Sequence, residues 1–215
     1  HAQQLKEYHL KNREMWWNTT RRMSEFGTTG LLEIMNNFGA LPTKNWQDGR
    51  FDRVDRIDHK TFKKVLVVKD RACTGCHVAC NKLSIHEKTP WGPLLVEGPE
   101  YETLFSLGTL VECDDIVGLA KVNEVADRLG VDTITLGNVL AFAMECFEKE
   151  HISVADTEGV EVRWGDVDSM LKMTEMIARR RAIGDVLAEG TVRAADKIGK
   201  GTDDFVVAFH TTQGV

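Results

Sequence analysis

The 215-residue chain is 42% hydrophobic and 28% charged, the balance of an ordinary globular protein, which excludes a disordered or low-complexity segment. Its net charge of −6 and lack of clustered Lys/Arg exclude a nucleic-acid partner, because phosphate neutralisation needs a basic face. Five cysteines, an odd number, exclude a complete disulfide framework and predict a reducing cytoplasm; no apolar run is long enough to span a membrane.

The start, H-A-Q-Q-L-K-E-Y, has an amphipathic pattern with neither an initiator methionine nor a secretory signal, and the chain reads as a piece of something longer. Gln3 to about Phe26 is helical in pattern, with Leu5, Tyr8, Leu10, Met15 and Trp16 as its apolar positions. Trp16 and Trp17 are adjacent and cannot both face one core, so one of them is expected to meet another domain or subunit. Gly27 ends this helix, Thr28 or Thr29 is placed to cap the next, and L-L-E-I-M-N-N-F runs to Gly39 as its C-cap. Residues 43–60 read as loop, anchored by Trp46 and Phe51. Val65 to Val68 is a short β-branched run, the expected strand leading into a cysteine loop.

That loop, R-A-C-T-G-C-H-V-A-C-N, places Cys73, Cys76 and Cys80 within eight residues, with Gly75 allowing a tight turn. Three close thiols present soft thiolates to one metal centre. The C-x2-C-x3-C run is one cysteine short of the usual four-thiolate set of a [4Fe-4S] cluster, so a fourth ligand is expected from elsewhere. A zinc site completed by His77, His86 or Cys113 and a redox or structural thiol group are the competing readings.

Beyond it, Gly98-Pro99 reads as a turn, with Pro99 suited to a first helical turn. Glu97, Glu100 and Glu102 crowd within six residues. If buried together they raise one another's pKa and leave one carboxyl able to trade a proton; if exposed they favour the positive end of a helix. The second half is a series of helices. Asp114 and Asp115 cap a segment to Leu129 closed by Gly130, Ile134 to Phe147 is apolar on most faces, and Asp166 caps a helix with a methionine stripe at core spacing. Arg179 to Arg181 fit a helix C-terminus. A last helix opens at Gly184-Asp185, before a short apolar strand at Phe205 to Phe209.

Asp127 to Thr133, D-R-L-G-V-D-T, joins two helices through a glycine. It serves equally as a C-cap followed by an N-cap, or as a loop whose amides and carboxylates grip a polar ring with N–H donors. The fold class expected throughout is mainly α, a multi-helical domain with a short strand and a cysteine-bearing cluster loop.

With these features in order, the sequence resembles the aldehyde ferredoxin oxidoreductase family. The resemblance is carried by G-A-L-P-T-K-N-W-Q from Gly39, C-T-G-C-H-V-A-C from Cys73, G-P-E-Y-E-T from Gly98, D-R-L-G-V-D-T-I-T-L-G-N from Asp127, A-F-A-M-E-C-F-E-K from Ala141 and L-A-E-G-T-V-R-A-A-D-K-I-G from Leu187. It implies a tungsten (or molybdenum) bis-pterin cofactor and one [4Fe-4S] cluster with Cys73, Cys76 and Cys80 as its first three ligands. Asp127, Gly130, Val131 and Asp132, with neighbouring Thr133, match the family's pterin-binding pattern, Val131 replacing a leucine. Glu102 matches the carboxylate beside the tungsten, with Glu100 as the alternative.

The resemblance further implies that residues 1–215 are the helical middle portion, running toward the C-terminal domain, without the N-terminal pterin-saddle domain. The remainder of the enzyme would bring a second pterin loop and the fourth cluster ligand, because Cys113 and Cys146 fall outside ligand-like loops. The implied reaction is oxidation of an aldehyde to a carboxylic acid in an anaerobe, with ferredoxin or another electron-transfer subunit as partner in a homo- or hetero-oligomer, and the 215-residue piece is expected to be inactive alone. A tungsten subunit of a benzoyl-CoA-type aromatic-ring reductase and a non-catalytic iron-sulfur electron-transfer module are the alternative readings.

Overall fold

A computed structural model describes residues 1–208. Among them the chain is mainly α, with a small antiparallel sheet near its centre. Helix α1 (Ala2–Phe26) ends at Gly27, whose φ of 65° lets the chain turn into a 3-10 segment, Gly27–Leu31. Helix α2 (Leu32–Phe38) closes on a left-handed Gly39. Neither Thr28 nor Thr29 caps it. The Thr28 hydroxyl is turned toward Glu100, and that of Thr29 donates back to the Phe26 carbonyl.

Residues 43–58 are mostly irregular, with Phe51 buried and a 3-10 turn at Val54–Arg56. Helix α3 (His59–Val65), capped by Asp58 on the Thr61 amide, takes the first residue of the expected strand, so β1 begins at Val67 and runs to Arg71. Two further strands, β2 (Asn81–His86) and β3 (Leu94–Glu97), complete a sheet in the order β1-β2-β3. Arg71 pairs with Asn81, which closes the cysteine loop at its base, and Leu83 pairs with Glu97.

Helix α4 (Tyr101–Ser106) has Glu100 at its N-cap, so Pro99 lies before its first turn. Helix α5 (Ile116–Leu129) is capped by Asp115, whose carboxylate accepts from the Val117 and Gly118 amides, while Asp114 is drawn to Arg53 and Arg56. Helix α6 (Thr133–Glu148) is the core of the molecule: Leu136, Val139, Leu140, Phe142 and Met144 are all buried. It crosses α4 so closely that a Cβ on Gly137 would stand 2.3 Å from the Ser106 carbonyl oxygen. Helix α7 (Val167–Ala178) buries Met170, Met173 and Met176 as core filler, and Arg179 to Arg181 follow its end, Arg180 paired with Asp185 and Glu189, Arg181 with Glu158.

The single last helix expected from the sequence is two, α8 (Ile183–Leu187) and α9 (Thr191–Ile198), split at Gly190 with φ 87°. The expected strand at Phe205 to Phe209 is not formed in its described part. Phe205 ends a 3-10 turn from Thr202, and residues 206–208 are irregular; Phe209 lies outside the described residues. The Asn45 and Asn138 side chains donate to the Phe205 and Val207 carbonyls, replacing a strand ladder with side-chain hydrogen bonds. No single helix among the described residues is long and apolar enough to cross a membrane.

Candidate functional site

The three cysteines sit on the loop between β1 and β2. Cys73 and Cys76 are exposed and Cys80 half-buried, and all three are free thiols. The Cys76 amide donates to the Cys73 carbonyl at 3.0 Å, and Gly75, at φ 78°, has open space where a side chain would be. The loop is thus a short turn held at its base by the hairpin, with two of its three cysteines exposed. This suits a group that takes soft ligands from one side. His77 is exposed and stacks on Trp16 of α1 with ring centroids 5.1 Å apart, while Trp17 is exposed. His86 lies at the far end of β2, about 16 Å from its start at the usual strand rise. Cys113 and Cys146 are buried, and burial pushes each thiol up to about 12, which keeps both protonated.

A buried lysine that the sequence did not mark holds the hairpin in place. The Lys82 side chain is 3% exposed. Its ammonium donates to the Ser24 carbonyl in the last turn of α1 at 2.7 Å and to the Ala79 carbonyl at 3.3 Å, and pairs with Asp70 at 2.9 Å. A cation at a helix C-terminus meets the negative end of the dipole. The Cys80 carbonyl oxygen, in turn, packs so tightly on Gly27 that an added Cβ would come within 2.6 Å of it.

The same turn grips the glutamates. The Thr28 hydroxyl donates to the Glu100 carboxylate and accepts from the Tyr101 amide at 2.8 Å. The Lys82 carbonyl receives the Gly98 amide at 2.8 Å, and the Ser84 hydroxyl donates to the Gly98 carbonyl. Hence Gly27-Thr28, Cys80-Lys82 and Gly98-Glu100 form one closed circuit of contacts. The glutamates themselves separate: Glu97 accepts from Asn81 and pairs with Arg71, Glu100 is committed to Thr28, and Glu102 is exposed on the first turn of α4.

Helix α4 extends the circuit to the loop at 127–133. Thr103 and Thr133 share a hydrogen bond of 2.8 Å, and the Ser106 hydroxyl donates to the Thr133 carbonyl at 3.1 Å. In that loop Gly130 is the left-handed C-cap of α5, with nothing near its missing side chain, and Asp132 caps α6 by accepting from the Thr135 amide at 2.7 Å. Val131 is half-buried. Partial desolvation raises the Asp127 carboxyl, against a hydrogen bond from Asn123, whose own oxygen lies 3.5 Å from where a Gly98 side chain would be. The capping geometry and an open, glycine-floored loop are therefore both present in the same residues. A polar planar group with N–H donors fits this cradle, since Asp127 and Asp132 keep acceptor capacity and Gly130 leaves room for close approach.

The segments that carry the expected residues are thus linked in series: the cysteine hairpin to the Gly27-Thr28 turn and to Gly98, that turn to Glu100 at the start of α4, and α4 to the 127–133 loop through Thr103 and Ser106. Gly27, Thr28, Lys82, Ser84 and Asn123, which tie them together, were not singled out as site residues. The contacts that join the segments run from Thr28 to Tyr101, from Lys82 to Ser24 and from Ser84 to Gly98, between 14 and 73 residues apart in sequence, so no local pattern marks them. A cleft of about 580 Å³ lies elsewhere, lined by Lys44, Asp48, Arg50, Phe51, Arg53 and Glu112 among others, and holds none of the expected residues. Beside it Lys44, Asn45 and Trp46 are consecutive left-handed residues, pinned by Asn45 donating to the buried Glu145 at 2.7 Å and Trp46 donating to Asn138 at 2.9 Å.

Comparison with known proteins matches residues 5–213 to the family profile described as aldehyde ferredoxin oxidoreductase, domains 2 and 3. The tungsten-containing aldehyde ferredoxin oxidoreductase of Pyrococcus furiosus is 33% identical over 181 residues, which cover 82% of this chain and 29% of that protein. The protein of the same name from Thermococcus kodakarensis is 32% identical over 178 residues, with the same coverage. An aliphatic sulfonate oxidoreductase, WOR-like subunit, of Pyrococcus furiosus is 32% identical and covers 92% of this chain and 32% of its own. The chain therefore spans under a third of the length of the curated relatives it matches. Among solved structures, the active-site complex BamBC of benzoyl coenzyme A reductase, with 1,5-dienoyl-CoA, superposes with a TM-score of 0.64 at 20% identity, over 82% of this chain and 27% of that one, a likeness of fold.

Proposed function

From the premise that this chain belongs to the aldehyde ferredoxin oxidoreductase family, we propose that it is the helical middle portion of an oxidoreductase that converts an aldehyde and water to a carboxylic acid, releasing two electrons and two protons. The observation that carries this reading is the circuit joining the cysteine hairpin, the glutamate turn and the 127–133 loop around α4. A tungsten bis-pterin and a [4Fe-4S] cluster, when bound, supply the two-electron oxidation and the one-electron relay to ferredoxin.

This chain's residues bind, position and move protons. Cys73, Cys76 and Cys80 offer three thiolates for the cluster, and the fourth ligand comes from the rest of the enzyme, because Cys113 and Cys146 are protonated and enclosed. Asp127 and Asp132 would hold the pterin by accepting from its N–H donors, with Gly130, Val131 and Thr133 lining the loop. Glu102 takes the proton released as water adds to the aldehyde: it is the one of the three glutamates with a carboxylate free of hydrogen bonds among the described residues. Glu100 is a positioning residue that fixes α4 against Thr28.

The holoenzyme, purified anaerobically, is expected to hold about four irons and one tungsten per chain and to reduce a viologen dye when given an aldehyde. Glu102→Gln should lower kcat by roughly 10²–10⁴-fold at unchanged metal content, the usual worth of a positioned acid-base group. Glu100→Gln should lower stability more than turnover. Zinc in place of iron and tungsten sinks the reading. An aliphatic sulfonate or an aromatic acyl-CoA turned over while aldehydes are inert reassigns the substrate, and iron without tungsten leaves an electron-transfer module.

A further inference from the structure

Away from that circuit, three ligand-bearing side chains converge between α2 and α3. Glu33 stands in the first turn of α2, Asp58 caps α3 and His59 is its first residue, and one ligand atom from each lies within 4.8 Å of the others. His59 is 4% exposed. Among the described residues its Nδ1 is buried without a hydrogen-bond partner, and the closest carboxylate oxygen, on Glu33, is 3.9 Å away, too far for a hydrogen bond. A buried ring nitrogen left unpaired beside two carboxylates calls for an explanation.

The surroundings supply one. The Phe26 ring stands edge-on to the imidazole at 4.4 Å between centroids and sets its plane. Asp58 accepts from the Thr61 amide at 2.8 Å, and a carboxylate retains acceptor capacity beyond one such bond. Glu33 is 39% exposed, so the cluster opens to solvent on that side. Lys60 sits 3.5 Å from Glu33, but its side chain is 67% exposed and can swing into water.

We propose that Glu33, Asp58 and His59 form a site for one divalent first-row cation, with water completing the coordination shell. The charge balances: two carboxylates and a neutral imidazole meet a +2 ion. One nitrogen and two oxygens suit zinc, cobalt, iron(II) or manganese(II), in contrast to the soft all-thiolate hairpin. Such an ion ties α2 to α3 across the end of α1. It braces the Gly27–Leu31 turn, whose Thr28 holds Glu100, and so acts on the candidate site by positioning.

The probe is cobalt(II), added to the 215-residue chain after its exposed thiols have been capped with iodoacetamide and all metal removed by a chelator. One cobalt per chain should bind, giving visible d–d bands with no thiolate charge-transfer band. Zinc should displace it, and binding should raise the melting temperature. His59→Ala should abolish binding. Glu33→Gln, a half-exposed change that leaves the fold intact by circular dichroism, should weaken it by more than about tenfold. No cobalt retained, or the same spectrum and affinity in both variants, overturns the site.

Discussion

Cysteine and glycine chemistry shows how a side chain's surroundings override its type. All five cysteines are identical in sequence, yet burial holds Cys113 and Cys146 protonated near neutrality while Cys73 and Cys76 stand in solvent. Iodoacetamide applied to the native, metal-free chain at mildly alkaline pH should therefore add three labels by intact mass, at Cys73, Cys76 and Cys80, and five only after denaturation. Five labels on the folded chain would contradict the burial. Gly27 combines a positive φ with a close backbone contact at the cysteine hairpin: its φ is 65° and the Cys80 carbonyl leaves no room for a methyl group. Gly27→Ala should cost about 2–3 kcal/mol in a denaturant titration and loosen the cysteine hairpin, because it combines a left-handed strain with a backbone clash. Gly75, with the same sign of φ but open space, should accept alanine with only the smaller strain cost.

Among the elements, helices were legible and the sheet was not. Helices α5, α6 and α7 announce themselves by an Asp cap and an apolar period, and Asp115, Asp132 and Asp166 all make the capping bonds expected of them. Strand β2 inverts the usual code. Lys82 and Ser84 point inward while Ile85 is exposed, because the inward positions are satisfied by the Ser24 and Gly98 carbonyls, which only the fold brings near. Helix α5 also carries a buried glutamate, Glu124, between two cations. Desolvation pushes the Glu124 carboxyl up, but hydrogen bonds and charge from Lys121 and Arg128 together outweigh it and hold it below the ordinary range. A depressed carboxylate contributes stability above its unfolded value, and that contribution is lost as pH falls through the folded one. Glu124→Gln should thus lower stability by about 1–3 kcal/mol at neutral pH, with the gap to the parent closing as pH drops below about 4.5. A gap that stays constant into acid would remove the ion pairs as its cause.

Over the whole molecule, stability is unevenly spread. Helix α6 buries ten of its sixteen residues, whereas α1 buries none of its twenty-five. Amide hydrogen exchange should be slowest in α6 and fastest along the first half of α1, which meets the rest of the described chain chiefly through Trp16 and its C-terminal turn. Equal protection in both helices would show that α1 is covered in solution. The sequence by itself determined the class of the fold, the identity of the thiols, carboxylates and glycine loop, and the family, because caps, apolar periods and motif spacing are local properties of the chain. What only the tertiary structure decided is how those residues relate. Glu100 is engaged by Thr28, Lys82 is a buried clamp, and His59 faces Glu33 across two helices. Each of these depends on a partner supplied by a distant segment, and a contact between segments far apart in sequence exists only once the core around α6 has packed.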